Sequence, residues 1–316
     1  MMQPPALFPP IAVMGPTAVG KTELCLRLAE EIHGEIINVD SIQIYRRLNI
    51  GSAKPESDEL RRVRHHLIDI REPDEPFDAA DFASAARRAI VRIRQRARCP
   101  ILSGGTGLYL NALLQGLAPC SGAHPALRMT LRRFCRKHGE QALHDLLAKQ
   151  DPEAAARLHV NDTFRVIRAI EVILSTGLPL SQWHELHKGS RRYSGMACIR
   201  VALIRPRDEL YRRIETRVDI MMEKGFVQEV EAILNSGFSP HLKPLQSLGY
   251  RHIIRLLEGR ASMDETVEAI KRDTRRYAKR QITWFRGQRN IQWFHPDRLL
   301  ESENIWPQIA RRCAAL

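Results

Sequence analysis

The segment Gly15–Thr22 has the residue types and spacing of a phosphate-binding loop, because it fits the pattern Gly-x-x-x-x-Gly-Lys-Ser/Thr. An apolar run precedes it at 11–14, and apolar residues recur at helical spacing over 24–32. A strand, a glycine turn and a helix N-terminus direct backbone N–H groups at an anion. Lys21 adds a positive charge, and the Thr22 hydroxyl can reach a bound Mg²⁺. The predicted phosphate-binding residues are Gly15, Pro16, Thr17, Ala18, Val19, Gly20, Lys21 and Thr22.

Asp40 follows a second predicted strand, at 35–39. Ligands of open parallel sheets bind at the carboxyl ends of the strands, so Asp40, Gly104–Thr106 and Arg205 are expected around whatever the loop binds. Asp40 can support a metal, act as a general base, or merely cap a helix. The other predicted strands end without a carboxylate, which leaves the machinery for nucleotide hydrolysis incomplete. The pattern therefore favours a loop that binds a diphosphate without cleaving a phosphoanhydride.

The charge balance of the chain indicates a polyanionic partner. Its 316 residues carry a formal net charge of +13, and nucleic acid is the commonest partner of so basic a protein. A basic surface without a partner is the alternative. The six cysteines are scattered and predict neither a zinc site nor a disulfide framework. Without a secretory signal or an apolar run of membrane-spanning length, the protein is expected to be soluble and cytoplasmic.

A basic stretch at 271–280 is predicted to be helical, with Lys and Arg recurring on one face. Gln281, Trp284, Phe285 and Arg286 follow it directly. Cations beside flat rings suit a nucleic-acid backbone and splayed bases. The alternative is a solvated charged helix whose aromatic side chains belong to the core.

Alternating strand and helix patterns predict an α/β fold around a parallel, doubly wound sheet. This core is expected to comprise residues 11–118 and 196–316, the latter including C-terminal helices. Residues 119–195 have helical patterns only, so they are predicted to form an inserted all-helical domain. Residues 1–10 are predicted to be a flexible tail.

Several motifs resemble the bacterial tRNA dimethylallyltransferase family, also called the IPP transferase family. They are the phosphate loop, Asp-Ser-Ile-Gln-Ile-Tyr at 40–45, Gly-Ser-Ala-Lys-Pro at 51–55, His-His-Leu-Ile-Asp at 65–69, Gly-Gly-Thr-Gly-Leu-Tyr at 104–109, Leu-Gly-Tyr at 248–250 and Lys-Arg-Gln-Ile-Thr-Trp-Phe-Arg at 279–286. The resemblance extends over nearly the whole chain and implies a P-loop NTPase-like three-layer core with a parallel sheet and an inserted all-helical domain. Ile42, Ser52 and Ser103 depart from the residues usual in the family, and none of them removes a group with an assigned chemical role.

The resemblance implies transfer of a dimethylallyl group from dimethylallyl diphosphate to N6 of adenosine 37, in tRNAs that read codons beginning with U. Asp40 would then be the general base, while Ser41 and Gln43 help to place the adenine. Thr106 and Arg217 would act on the diphosphate oxygens, and Mg²⁺, reached through Thr22, would be the cofactor. The adenine must be extruded from the anticodon loop to enter the site.

The family resemblance also predicts which residues contact the anticodon stem-loop of tRNA. They are Asp40, Ser41, Ile42, Gln43, Thr106, Arg128, Phe164, Arg165, Val166, Ile167, Arg168, Gly249, Tyr250, Arg251, Lys279, Arg280, Gln281, Ile282, Thr283, Trp284, Phe285 and Arg286. For the arginines of the insertion, solvation at the surface is the alternative. The protein is expected to be a monomer.

Three other functions remain open. A small-molecule kinase on this fold would need a full set of metal-supporting acids and a nearly neutral surface. A prenyltransferase acting on free adenine nucleotides would need neither the helical insertion nor the basic segment 271–286. A non-enzymatic RNA-binding protein with a degenerate loop would not need intact Lys21, Thr22 and Asp40.

Overall fold

The computed structural model describes residues 9–118, 120, 122, 124–189 and 196–313. Its centre is a six-stranded sheet in the order β3-β2-β4-β1-β5-β6, in which every neighbouring pair is parallel. The strands are β1 Ile11–Met14, β2 Gly34–Val39, β3 His65–His66, β4 Cys99–Gly104, β5 Ile199–Leu203 and β6 Gln292–Phe294. The predicted parallel α/β core is confirmed. The short strands β3 and β6 were not predicted, because each is too brief to show an alternating pattern.

Helices connect the strands of the core and also form the segment between β4 and β5. They are α1 Lys21–Glu31, α2 Ser57–Arg62, α3 Ala79–Gln95, α4 Gly107–Leu114, α5 Pro125–Gln150, α6 Pro152–Arg157, α7 Thr163–Thr176, α8 Leu180–Gly189, α9 Arg207–Glu223, α10 Phe226–Asn235, α11 Tyr250–Leu257, α12 Met263–Arg286, α13 Pro296–Leu300 and α14 Ile305–Cys313. Among the described helices, none combines the length and the apolar character that crossing a bilayer requires.

The central strands are buried because they are apolar on both faces. All four residues of β1 are at most 2% exposed, and β1 lies between β4 and β5. Side chains of α1 at Leu24 and Leu28 pack in the same cluster as Ile11 and Val13. This packing fixes where β1 ends and α1 begins, and therefore where the loop between them lies.

The chain divides into two compact units. One extends up to Leu114 and resumes at Met196, and the other is Gln115–Gly195, which starts four residues before the predicted insertion. The second unit has its own apolar cluster, which includes Leu131, Leu143 and Val166. Helix α5 has a break at Gly139, whose φ of 87° is not helical. The predicted tail of residues 1–10 lies outside the described residues except for Pro9 and Pro10.

Candidate active site

The loop between β1 and α1 is tightly wound around its own lysine. Gly15 and Gly20 have φ angles of 152° and 105°, and a Cβ on Gly15 would lie 2.9 Å from the carbonyl oxygen of Leu203. The Lys21 ammonium donates to the carbonyls of Gly15 and Pro16 at 3.0 and 2.7 Å. Burial, aided by the positive charge of Arg217, lowers the pKa of Lys21 to about 8. The Lys21 ammonium is therefore held by carbonyls of its own loop, and an anion bound in the loop would compete with these carbonyls for it.

Two arginine side chains donate hydrogen bonds to backbone carbonyls of this loop. Arg205, at the end of β5, donates to the carbonyl of Val19 at 2.8 Å, and Arg213 on α9 donates to the carbonyl of Ala18 at 2.9 Å. Arg205 also pairs with Glu209 and with Asp297. Those two carboxylates and His295 are close enough together to hold a metal, but the Arg205 guanidinium already bonds to both of them. Arg205 was predicted to face the ligand, and it instead holds the loop.

Asp40 directly follows β2 and uses only one of its carboxylate oxygens within the described structure. Its Oδ1 accepts hydrogen bonds from the backbone N–H groups of Ile42 at 2.8 Å and Gln43 at 3.1 Å. Burial raises the pKa of Asp40, although these two N–H groups and the charge of Lys21 act in the opposite direction. A buried carboxylate with a free oxygen and a raised pKa is suited to accept a proton.

Gln281 on α12 joins two loops at the sheet edge. Its Oε1 accepts from the N–H of Thr17 at 2.9 Å, and its Nε2 donates to the carbonyl of Gly105 at 3.0 Å. The contact requires glycine at 105, since a Cβ there would lie 2.3 Å from the Gln281 amide nitrogen. Glycine is required at 107 for the same reason, since a Cβ there would lie 2.5 Å from the ring of Trp284. Helix α12 therefore packs directly on the phosphate loop and the end of β4.

Two connected surfaces of the core form the candidate site. A recess of about 130 Å³ is lined by residues that include Lys21, Asp40, Gln43 and Tyr277. A wider cleft of about 1220 Å³ extends along α9, and Thr22 and Arg217 line both cavities. Burial, together with the charge of Arg213, lowers the pKa of Arg217. The wider cleft has room for a diphosphate, and the recess brings the phosphate loop and the candidate base together.

Comparisons with known proteins agree on one family. The model of the family described as IPP transferase matches residues 43–288. A curated relative from Geobacter sulfurreducens, named tRNA dimethylallyltransferase, is 49% identical over 90% of both chains. The chain belongs to the IPP transferase family.

Three further proteins extend this similarity over almost the full length of this chain. An IPP transferase relative from Pelobacter propionicus, named tRNA dimethylallyltransferase 1, is 46% identical over 99% of both chains. The full-length tRNA isopentenylpyrophosphate transferase from Bacillus halodurans, known from a crystal structure, has 39% sequence identity to this chain. The two structures match with a TM-score of 0.67, covering 96% of this chain and 94% of that one. A eukaryotic dimethylallyltransferase described as acting on tRNA has a TM-score of 0.76 at 26% identity, covering 95% and 77% of the two chains.

The residues predicted to contact tRNA fall into three groups in this IPP transferase fold. Exposed side chains, which can reach a partner, are those of Phe164, Arg165, Arg251, Lys279, Arg280, Thr283 and Arg286. Partly exposed ones are those of Asp40, Ser41, Ile42, Gln43, Thr106, Arg128, Arg168, Ile282 and Trp284. Buried positions are Val166, Ile167, Gly249, Tyr250, Gln281 and Phe285. The positions of this last group are buried, although Gln281 also lines the recess, and their contact with tRNA stays a prediction.

Arg128 and Arg168 have a structural partner that the sequence did not reveal. Both bind the carboxylate of Glu171, which is 0% exposed, at 2.8 and 2.6 Å. Burial alone would raise the pKa of Glu171, but the hydrogen bonds from Arg128, the His124 N–H and Arg168 outweigh it and lower that pKa. These arginines therefore stabilise the helical unit, whatever else they bind.

Thr106 lies next to the recess, and Tyr277 lines it. The Thr106 carbonyl accepts from the N–H groups of Tyr109 and Leu110, so this residue lies just before α4 and beside Gly105, which lines the recess. Tyr277 was not predicted, yet it lines the recess, and burial with the nearby charge of Asp40 raises its pKa to about 12. The helical spacing from Tyr277 to Gln281 was the available signal that both side chains point the same way.

Proposed function

We propose that this protein transfers the dimethylallyl group of dimethylallyl diphosphate to N6 of adenosine 37 in tRNAs reading codons that begin with U. The tRNA dimethylallyltransferases among its relatives support this activity. The observation that carries the chemistry is Asp40, with one uncommitted oxygen in a recess that the phosphate loop also lines. A base facing the anchor of a leaving group is the arrangement that alkylation of an amine needs.

The diphosphate is bound by the loop N–H groups, Lys21 and Arg217. Mg²⁺ fits this site, because the Thr22 hydroxyl is exposed to both cavities and Mg²⁺ takes most of its ligands from water and phosphate oxygens. When bound, the ion neutralises charge on the leaving diphosphate. Thr106 and Arg217 are the further residues proposed to assist departure.

The proposed reaction forms one bond, breaks one bond and transfers one proton. The N6 lone pair forms a bond to C1 of the prenyl group as the bond from C1 to the diphosphate oxygen breaks. Asp40 accepts the proton that N6 loses, and the diphosphate leaves with the electron pair of the broken bond. Lys21, drawn out of its contacts with the Gly15 and Pro16 carbonyls, compensates for the charge that develops there.

The exposed arginines and lysine of α12 form the proposed tRNA surface of the core. Arg276, Lys279 and Arg280 are exposed, on the same helix whose Gln281 contacts the phosphate loop. A phosphate backbone bound there would bring the extruded adenine close to Asp40. In the helical unit, Phe164 is 66% exposed beside Arg165, and this pair suits stacking on RNA.

A labelling experiment tests the proposal. The protein is incubated with Mg²⁺ and labelled dimethylallyl diphosphate, and with either unmodified tRNA or free AMP. We expect label in tRNA at adenosine 37 and none in AMP. Label in AMP alone would identify an enzyme of free nucleotides, and label in neither would exclude prenyl transfer to adenine.

A further inference from the structure

A carboxylate outside the recess binds the loop 49–53, of which Ser52 and Ala53 line the recess. Glu229 on α10 accepts hydrogen bonds from three consecutive backbone N–H groups, those of Asn49, Ile50 and Gly51, at 2.9, 2.7 and 3.1 Å. The hydroxyl of Tyr250, which is fully buried, donates to the same carboxylate at 2.7 Å. Four donors on one side chain fix the loop 49–53 rigidly.

The loop is also sealed against the ring of Phe226. A Cβ on Gly51 would lie 2.1 Å from that ring, so the backbone approaches it as closely as glycine permits. Phe226 packs edge-on against Tyr250, with ring centroids 5.1 Å apart. Glu229, Tyr250 and Phe226 thus determine where the carbonyl groups that follow Gly51 are held.

Two of those carbonyls set the orientation of a side chain in the recess. The Gln43 amide nitrogen donates to the carbonyls of Ser52 and Ala53, each at 2.9 Å. The reverse orientation would oppose the amide oxygen to two carbonyl oxygens and leave all three without a donor. Both amide hydrogens are therefore used, and only the Gln43 oxygen is available to a ligand.

We propose that Glu229 is a positioning residue that makes Gln43 an obligate hydrogen-bond acceptor, and that this selects a purine with an amine at C6. The inference rests on the proposed function, in which Asp40 and Gln43 face the target base. An adenine amine presents two N–H donors, one for the free oxygen of Asp40 and one for Gln43. The C6 carbonyl of guanine or inosine would be opposed to two acceptors and rejected.

Base discrimination tests this positioning role. Anticodon stem-loops with adenosine or inosine at position 37 are titrated against the wild type and against Glu229→Gln, together with Gln43→Ala and the double variant. Glu231→Gln is the matched control, because Glu231 is an exposed glutamate on the same helix. Tyr250→Phe removes a single donor to Glu229 and provides a milder variant if Glu229→Gln folds poorly.

The wild type should bind the adenosine stem-loop about tenfold more tightly than the inosine one, as is typical of one hydrogen-bonded contact to a base edge. Glu229→Gln should lower that ratio to what Asp40 alone provides, and adding Gln43→Ala should change it no further, since Glu229 and Gln43 act through one contact. A ratio that stays at the wild-type value in Glu229→Gln and Tyr250→Phe would overturn the inference.

Controls separate this outcome from other failures. Glu231→Gln should keep the wild-type ratio, because Glu231 is an exposed residue of the same helix. A merely structural role would lower the melting temperature without changing the ratio of affinities. If the wild type transfers no prenyl group to tRNA, the proposed function fails first; if it transfers normally and the ratio is insensitive to Glu229, only this inference fails.

Discussion

At the residue scale, burial shifts the two charged groups of the recess in opposite directions. It raises the pKa of Asp40 and lowers that of Lys21 to about 8. Both shifts disfavour the charged forms, because each charge has lost water without gaining a full ion-pair partner. The binding of substrates that supply a proton donor and an anion would compensate for this cost.

Replacing Asp40 by Asn should lower the rate of prenyl transfer by roughly 10²–10⁴-fold, the usual contribution of a general base. The Asn oxygen can still accept from the N–H groups of Ile42 and Gln43, so this loop should keep its conformation. A raised carboxyl pKa means that the Asp40 carboxylate destabilises the folded state at neutral pH. The melting temperature of the variant should therefore not fall. Single-turnover rates of prenyl transfer would measure the loss of activity, and an unimpaired rate would exclude Asp40 as the base.

Lys21 should give kcat/KM for dimethylallyl diphosphate an alkaline limb near pH 8, since the free enzyme loses the binding cation as pH rises through its pKa of about 8. The limb should be absent from kcat, because bound diphosphate keeps the lysine protonated. Lys21→Ala should weaken diphosphate binding more than tRNA binding and abolish the limb. A limb that persists in Lys21→Ala would assign it to another group.

At the element scale, α12 has two faces with different tasks. Ala278, Gln281 and Phe285 are buried against the core, while Arg276 and Arg280 are exposed. The spacing of three and four residues separates these faces around one helix. Charges on the outer face contribute little to stability: Arg276 pairs with Asp273 only at 3.5 Å, and Arg280 lies 5.7 Å from the Tyr277 ring centroid.

Replacing Arg276 and Arg280 together by Gln should weaken tRNA binding and flatten its salt dependence. Each lost phosphate contact should reduce the slope of log K against log salt by about one. The double change Arg88→Gln with Arg92→Gln is the matched control, since both arginines are exposed on α3 and have no predicted part in tRNA binding. A slope that α12 and α3 substitutions reduce equally would indicate a general charge effect, and an unchanged slope would mean that α12 does not contact tRNA.

At the scale of the whole molecule, the chain folds as two units, each with its own apolar core. In the helical unit, the buried Glu171 depends on Arg128 and Arg168 for its charge to be tolerated. Removing one partner of a buried ion pair leaves an incompletely compensated charge, which is costly.

Arg128→Ala should therefore reduce the free energy of unfolding of the helical unit by about 1–3 kcal/mol, as for a lost hydrogen bond to a buried charged group. Because the pKa of Glu171 is lowered in the folded state, the loss should be largest above the ordinary carboxyl pKa and should disappear as pH falls through the lowered pKa of the folded state. Denaturant unfolding at two pH values measures both effects. Arg133→Ala, at an exposed position of the same helix, should be close to neutral; an equal loss there would point to helix propensity instead.

The sequence by itself determined the parallel α/β core, the phosphate loop and the place of Asp40, because these depend on local periodicity and on short contiguous patterns. Only the tertiary structure decided that Gln281 binds the N–H of Thr17, 264 residues away, and that Arg205 supports the loop instead of facing a ligand. It also showed that Tyr250 and Phe285, which were predicted to contact tRNA, are buried. An aromatic or polar residue on a helix has the same local pattern whether it faces a partner or a distant loop, since that choice depends on long-range packing.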